Sequence, residues 1–473
     1  MALWRKQLVI GFLLVLSSCS VGPDYVPPCV ETPSHWKNKS CTNAADPYLD
    51  FWWEVFYDEK LNELEALALE NNRDLFIAYE RIQESRALMG IAAADFYPQI
   101  TLNPLYTSTG ELIKNYANSS LVSVPLTPFR AHELLYFLPV NVSYEVDLWG
   151  KIQDQYRAAK YSWFAQKEDF DAVLLTLTSN LAFAYFQLRT ADKQIELLQQ
   201  VLKTRQKAYQ INLDRYEGRI IFYADVALAA EEVGNVLIEY EETLRQRKIM
   251  EDQLAVLIGI PASEFCLDPI PLLEIPPPCI PAGLPSEVLL RRPDIAEAEY
   301  RTRSAHQLVK QAYAEFFPSL TLTAVGGFES PILRDFLRWI SRYWMLGVGS
   351  DQLIFDGFRT PYYLQQQLAR FYEASGQYQQ QVLIAFQEVE DALTNIDLYA
   401  KEHNNSEIVT KWAEKAYQLY SDRYQLGLIN YIDVVNTERD LLNSQIQVNA
   451  LHGYQYMATV QLIKALGGGW SLP

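Results

Sequence analysis

The sequence predicts an α+β protein in which one unit is written twice: helix, strand, strand, long helix, tight turn, return helix. Three observations carry this. Residues 215–226 (RYEGRIIFYADV) recur as residues 423–434 (RYQLGLINYIDV), matching at a constant offset of 208 at Arg215/Arg423, Tyr216/Tyr424, Ile221/Ile429, Tyr223/Tyr431, Asp225/Asp433 and Val226/Val434. Residues 151–217 contain neither Gly nor Pro. In residues 136–147, Tyr136, Leu138, Val140, Val142, Tyr144 and Val146 alternate with a second set that turns polar at Asn141, Ser143, Glu145 and Asp147.

The elements follow in order. Arg5 and Lys6, the apolar run Leu8 to Leu16, the small residues Ser17 and Ser18, and then Cys19 form a secretory signal over residues 1–18. Its removal takes away two basic residues and no acidic one, so the net charge of −18 becomes −20. An acidic chain lacks the basic face that phosphate binding needs, which argues against nucleic acid. An apolar share of 49% with 21% charged residues excludes a disordered chain. No run approaches the ~18 apolar residues of a spanning helix, so any membrane crossing has to be made by strands.

Residues 19–54 read as an extended, proline-rich arm. Trp52, Trp53, Phe56, Leu61, Leu64, Leu67 and Leu69 open an amphipathic helix expected to run to about Asp95. Strands are expected at residues 96–102 and 136–147. One apolar and one polar face suit a barrel wall between lipid and water, and equally a sandwich strand. The Gly- and Pro-free stretch predicts one helix of roughly 100 Å at about 1.5 Å per residue, the length of coiled coils and bundles. Val226 to Ile258 then predicts the return helix, completing a first repeat over residues 55–266.

Seven prolines in residues 267–285 exclude a helix there and mark a linker. The second repeat, residues 286–467, restarts at an offset of 220 with Asp74/Asp294, Ala78/Ala298, Arg81/Arg301, Phe96/Phe316, Pro98/Pro318 and Thr101/Thr321. It ends before a short tail, residues 468–473. Two repeats give four strands. Four cannot close a barrel, and an open edge in lipid leaves backbone groups unsatisfied. Either the strands lie outside the membrane or several chains share one barrel.

Four cysteines remain besides Cys19, and four allow three connectivities in an oxidising compartment. The local pairs Cys29–Cys41 and Cys266–Cys279 are expected. No Cys-x-x-Cys motif is present and the five histidines are scattered, so no metal ligand set or cofactor is expected. Nor does any nucleophile–base pairing or phosphate loop point to an enzyme.

An ordered set of motifs resembles the TolC-like outer-membrane efflux family, in its lipoprotein branch. The set comprises Cys19-Ser-Val-Gly-Pro-Asp-Tyr25 with Pro28, Trp53 with Asp58, Leu61 and Leu64, Asn72-Arg-Asp-Leu75, Phe96-Tyr-Pro98, Glu145-Val-Asp-Leu-Trp-Gly-Lys151, Arg291-Arg-Pro-Asp294, Phe316-Phe-Pro318, Ile354-Phe-Asp-Gly357 and Gly427 with Asp433-Val434. The resemblance covers nearly all of the mature chain. It implies an α+β membrane protein acting as a homotrimer, with four strands per protomer in a shared twelve-stranded outer-membrane β-barrel and a long periplasmic α-helical barrel. It implies an acyl lipid on Cys19, and Ser20 in place of Asp implies delivery to the outer membrane. It implies a non-enzymatic exit channel for small molecules, working with a periplasmic adaptor protein and an inner-membrane transporter.

Carried over by position, the resemblance implies a periplasmic gate at the second turn. Asp433 takes the place of a pore-facing acid, Ile432 that of a constricting apolar residue, and Tyr424 that of an aromatic holding the closed state. Asn436 stands where a second acid is common and Ile429 where a basic latch is, so a doubled acidic ring and an Arg lock do not carry over. Asp225, in the first turn, reads mainly as a first-turn helix acid, a reading also open for Asp433. Gly218 lies one position ahead of Gly427 in register, so the two turns are expected to bend differently. Two other readings stay open: the duct of a type I protein secretion system, and a lipid-anchored coiled-coil scaffold without a pore.

Overall fold

The computed structural model describes residues 20–38, 51–113, 129–272 and 275–468. The signal segment, Cys19, Cys41 and the last five residues lie outside the described residues. The chain divides into two compact units, Met1–Pro27 with Gln83–Phe164 and Tyr300–Ser375, and Pro28–Ile82 with Ala165–Glu299 and Gly376–Pro473. Each unit draws on both repeats, so the duplication and the compact units are different partitions of the chain.

The first unit holds the sheet. Its strands are β1 (Gln99–Leu102), β2 (Leu105–Ile113), β3 (Phe129–Val146), β4 (Ser319–Ser330) and β5 (Arg342–Asp351). β1 and β2 both pair with β3, one after the other, and the order β1-β3-β4-β5 is antiparallel throughout. β1 and β2 are therefore one strand interrupted at Asn103-Pro104, and among the described residues the sheet has four strand positions. Proline has no N–H to give a ladder, which accounts for the interruption.

Register sorts the residues by face, because directly paired residues project to the same side of a sheet. Ile100, Val142, Ala324 and Leu346 form one row, and Leu102, Val140, Gly326 and Trp344 the next. Tyr144, Leu322 and Val348 form a third on the same face. The alternate rows include Ser143, Thr323 and Gly347, and Glu145, Thr321 and Gly349. The apolar face is not covered: Trp344, Leu346 and Val348 are each more than 70% exposed. Among the described residues, β1, β2 and β5 each keep an unpaired edge.

The arm begins in this unit as a strap on the strand-to-helix corner. Val21 N–H donates to Trp149 O (3.2 Å), and the Ser20 hydroxyl donates to the buried Asp154 carboxylate (2.8 Å). The corner is tight: Gly150 has φ +83°, and a Cβ there would lie 2.9 Å from Ser20 Cα. Trp149 stacks on Phe317 and donates to Pro318 O (2.8 Å), tying the end of β3 to the start of β4.

The helices are α1 (Glu59–Asn71), α2 (Arg73–Ala94), α3 (Lys151–Glu217), α4 (Tyr223–Leu257), α5 (Pro285–Arg291), α6 (Pro293–Ala314), α7 (Arg359–Gln425) and α8 (Tyr431–Ala465). The stretch without Gly or Pro is a single 67-residue helix, and α7 in the second repeat has the same length. No helix among the described residues is long and apolar enough to cross a membrane.

The helix expected from Trp52 to about Asp95 is three pieces. Trp52–Phe56 is a short 3-10 helix, ended by Tyr57 in the left-handed conformation. Asp58 caps α1 by accepting from Lys60 N–H (3.0 Å) and Leu61 N–H (3.1 Å). Asn72 separates α1 from α2: it is extended, and its Oδ1 accepts from Asp74 N–H (2.8 Å) and Leu75 N–H (3.1 Å). A side chain that replaces the helical partner of those N–H groups starts a new helix.

The second unit holds the main core, where Trp52, Trp53, Phe56, Leu61 and Leu64 pack with Leu181, Tyr185, Phe186, Leu254 and Tyr456. Helices α3 and α8 meet where Gly453 faces Thr190; a Cβ on Gly453 would lie 2.2 Å from Thr190 Oγ1. Asn449 seals the crossing by donating to Thr190 O (2.9 Å). Arg292, also buried, donates to Asp294, to Glu388 and to Ala465 O. This is a packing role for the Arg-Arg-Pro-Asp motif.

The expected cysteine pairs do not form. Cys29 and Cys266 are free, exposed thiols, whereas Cys279 is disulfide-bonded. A disulfide needs Cα atoms about 4.4–6.8 Å apart. The described backbone between Cys266 and Cys279 is proline-rich and without regular structure, so no turn or ladder holds the two together. Nearness in sequence was the wrong guide.

Candidate functional site: the paired helical turns

Both turns lie in the second unit, and both are built by the same hydrogen bonds. In the first, Gly218, Arg219 and Ile220 N–H donate to Asp214, Tyr216 and Arg215 carbonyls at 2.9, 2.8 and 2.9 Å. In the second, Leu426, Gly427 and Leu428 N–H donate to Asp422, Tyr424 and Arg423 carbonyls at 3.1, 2.9 and 3.0 Å. Each bond has its copy at the offset of 208, so the turns bend alike. The expectation that Gly218 would change the bend is overturned. The residue that must take positive φ is Arg219 (φ 56°), opposite Gly427 (φ 73°). Gly218 does not take it.

Asp225 and Asp433 occupy the same place, the third residue of α4 and of α8, and both are half-buried. Each backbone N–H closes a first turn, onto Phe222 O (3.1 Å) and Asn430 O (3.2 Å). Neither N-cap residue, Phe222 nor Asn430, makes a side-chain cap. A carboxylate in the first turn is favoured by the positive end of the helix dipole. Ile432 is 38% exposed and Asn436 is exposed, one and five residues along α8 from Tyr431.

Tyr424 joins the turns. Arg215 Nη1 donates to its hydroxyl at 2.8 Å, and the hydroxyl reaches Asn212 Oδ1 at 3.4 Å. The Arg215 guanidinium also stands 5.3 Å from the Tyr424 ring centre, and Tyr424 packs on Tyr431. Tyr424 of α7 thus meets α3 through a cation and an amide, and α8 through a ring.

Two helix turns before Asn212 on α3 lies a cluster that sequence reading missed. Arg205 of α3 is 2% exposed; its Nε is 3.2 Å from Glu438 of α8 and its Nη1 is 3.7 Å from Glu232 of α4. Its Nη2 points at Val435 O (3.4 Å). Glu232 also accepts from Arg439 of α8. Burial pushes the Glu438 carboxyl up; Arg205 opposes that, and Glu232 adds to it. At the offset of 208, Arg205 aligns with Ala413 and Glu438 with Ala230. A search for what the repeats share passes over such residues; their departure from the repeat was the available signal.

Among the described residues, no group of three or more His, Cys, Asp or Glu side chains is arranged to hold a metal. The chain carries two long helical hairpins and an antiparallel sheet with a largely exposed apolar face and, among the described residues, open edges. The chain belongs to the outer membrane efflux protein family, whose model matches residues 64–260 and 284–468. It is 28% identical over 472 residues to the cation efflux system protein CusC of Escherichia coli O157:H7, covering 98% of this chain and 99% of that one. It is 30% identical over 478 residues to the pyoverdine export outer membrane protein OpmQ of Pseudomonas aeruginosa, covering 98% and 97%. In three dimensions it resembles the Campylobacter jejuni CmeC outer membrane channel, with TM-score 0.86, 25% identity and 96% of each chain covered. The open state of the Neisseria gonorrhoeae MtrE outer membrane channel gives 0.83 and 28%, covering 95% and 98%.

Proposed function

We propose that this outer membrane efflux protein is the exit duct of a tripartite pump, conducting small molecules passively from periplasm to exterior. Three copies complete the barrel and the helical tube. A periplasmic adaptor and an inner-membrane transporter supply drive and selection, and a lipid on Cys19 anchors each copy. The single observation that supports this best is the sheet, with four strand positions, one exposed apolar face and two unpaired edges. Lipid accepts the apolar face, and pairing with neighbouring copies is the way to satisfy the edges.

The second turn is the gate in this reading. Three copies of Asp433 meet near the axis, with Ile432 narrowing the passage beside them. Like charges held close raise one another's proton affinity and attract cations. Opening is a sliding of the helix pair α7 and α8, driven by the adaptor, past contacts such as Arg215–Tyr424.

Purified full-length protein in planar bilayers tests this. Stable cation-preferring pores, together with heat-modifiable trimers on gels, are expected. Asp433→Asn should lower cation preference and block by divalent ions. Unchanged selectivity in that variant rules out the acidic ring, and a monomer that forms no pores rules out the duct.

A further inference from the structure

We propose that the connection between β4 and β5 is a lipid-headgroup site: Arg334 and Arg342 take phosphates of the glycolipid in the outer leaflet, and Trp339 and Ile340 enter the leaflet beside them. The proposal rests on the duct reading above, which puts the helices in the periplasm and this end of the sheet outside.

Polar contacts give the connection its shape. The Ser330 hydroxyl donates to Ile332 O (2.9 Å), the Ser341 hydroxyl to Asp335 O (2.7 Å), and Arg338 Nη1 to the Asp335 carboxylate (2.9 Å). Yet Leu333, Leu337, Trp339 and Ile340 are 64 to 85% exposed. Large apolar side chains clustered on the outside of an ordered loop mark a surface that meets something other than water.

Charge says what that is. Residues 331–342 hold Arg334, Arg338 and Arg342 against Asp335 alone, a local charge of 3 − 1 = +2 in a chain whose total is −18. Asp335 stands 2.9 Å from Arg338 and 3.8 Å from Arg334, and its single charge offsets one of them. Guanidinium groups match phosphate oxygens in pairs, and an anionic leaflet attracts each arginine near its surface.

The connection leans to the lipid side. Tyr136 is four residues from Val140, and Arg342 two from Trp344, so both lie on the exposed apolar face of the sheet. Phe336 packs on Tyr136 with ring centres 5.9 Å apart, and the Arg342 guanidinium stands 4.0 Å from the Trp339 ring centre. Both contacts join the connection to the apolar face rather than to the side of Asn141, Ser143 and Glu145. Aromatic and arginine side chains at the rim of an apolar band stand where hydrocarbon gives way to headgroups.

The test offers the full-length protein in detergent two lipids, lipid A with two phosphates and the same lipid with both removed, and reads binding by native mass spectrometry. Wild type is expected to prefer the phosphorylated lipid about twenty-five-fold, near fivefold for each of two arginines. Arg334→Gln combined with Arg342→Gln is expected to abolish the preference and leave bilayer conductance unchanged. Trp339→Ser is expected to weaken both lipids alike. Equal binding of the two lipids by wild type overturns the proposal. So does a preference that survives the double variant; changed conductance then identifies an exit plug, and lost trimers a contact between copies. If the double variant does not fold, Arg334→Gln decides alone by the same loss of preference. Wild-type pores without the preference refute the lipid site only, whereas a wild type that forms no pores refutes the duct reading and the lipid site with it.

Discussion

Arg215 and Tyr424, one from each sequence repeat, meet in two ways: the guanidinium donates to the phenol oxygen at 2.8 Å and stands 5.3 Å from the ring centre. Tyr424→Phe separates the two. The ring contact stays, while the hydrogen bond to Arg215 and the link to Asn212 go. A hydrogen bond to a charged group contributes about 1.5–3 kcal/mol. If the bond exists only in the closed entrance, its loss shifts the closed-to-open ratio by a factor of about ten or more. Single-channel recording of the variant should show longer open times, and an unchanged open fraction would mean that the bond persists on opening.

The two turns share every backbone hydrogen bond but differ in who takes the left-handed conformation. Arg219 does so at φ 56° where Gly427 does so at φ 73°. A side chain in that region costs roughly 1 kcal/mol relative to glycine. Arg219→Gly should therefore slow amide exchange in residues 215–226 by about fivefold. Gly427→Ala should speed exchange in residues 423–434 by a similar factor. Exchange followed by mass spectrometry resolves both segments, and faster exchange in Arg219→Gly would contradict the strain argument.

The four strand positions and the paired 67-residue helices were legible because each obeys one rule over many residues. Val140, Val142 and Tyr144 alternate because a sheet has two faces, and α3 runs uninterrupted because nothing in residues 151–217 breaks it. Asn72 was hidden because a capping asparagine sits inside an apolar pattern without disturbing it. Arg219 was hidden because positive φ is usually glycine's, and Gly218 stood one residue away. The Arg205 cluster joins residues up to 233 positions apart. Arg205 and Glu438 each align with an alanine in the other repeat, so no rule shared by the repeats could assemble it. Gate residues carried over by position landed at a real turn. Yet the contacts that hold that turn, from Arg215, Asn212 and Arg205, come from the other repeat.

Cysteine chemistry separates the described thiols. Cys29 and Cys266 are exposed and free, so both should react with a maleimide in native protein without reductant, while Cys279 should not. Cys29→Ser and Cys266→Ser should change stability by less than about 0.5 kcal/mol. Cys279→Ser removes a cross-link and should cost about 2–4 kcal/mol, measured by urea unfolding under oxidising conditions. Equal sensitivity of all three would restore the local pairing that the structure rejects.

Glu65 of α1 is fully buried among core residues, and both its carboxylate oxygens lack a hydrogen-bond partner among the described residues. Burial raises its carboxyl well above the usual range. The sign follows from proton counting. Between the unfolded and the folded pKa the folded state binds more protons, so stability falls as pH rises through that window. Below the unfolded value, near 4.3, both states are protonated and the penalty is absent. Above the folded value the penalty is complete. Glu65→Leu keeps a similar volume and removes the acid, so it should stabilise the protein at pH 8 by about 1–3 kcal/mol. Part of that gain should vanish by pH 4, leaving only the apolar contribution. Denaturant unfolding of wild type and variant across pH 4 to 8 gives the difference directly. A difference that is flat with pH would show that Glu65 carries the same charge in both states.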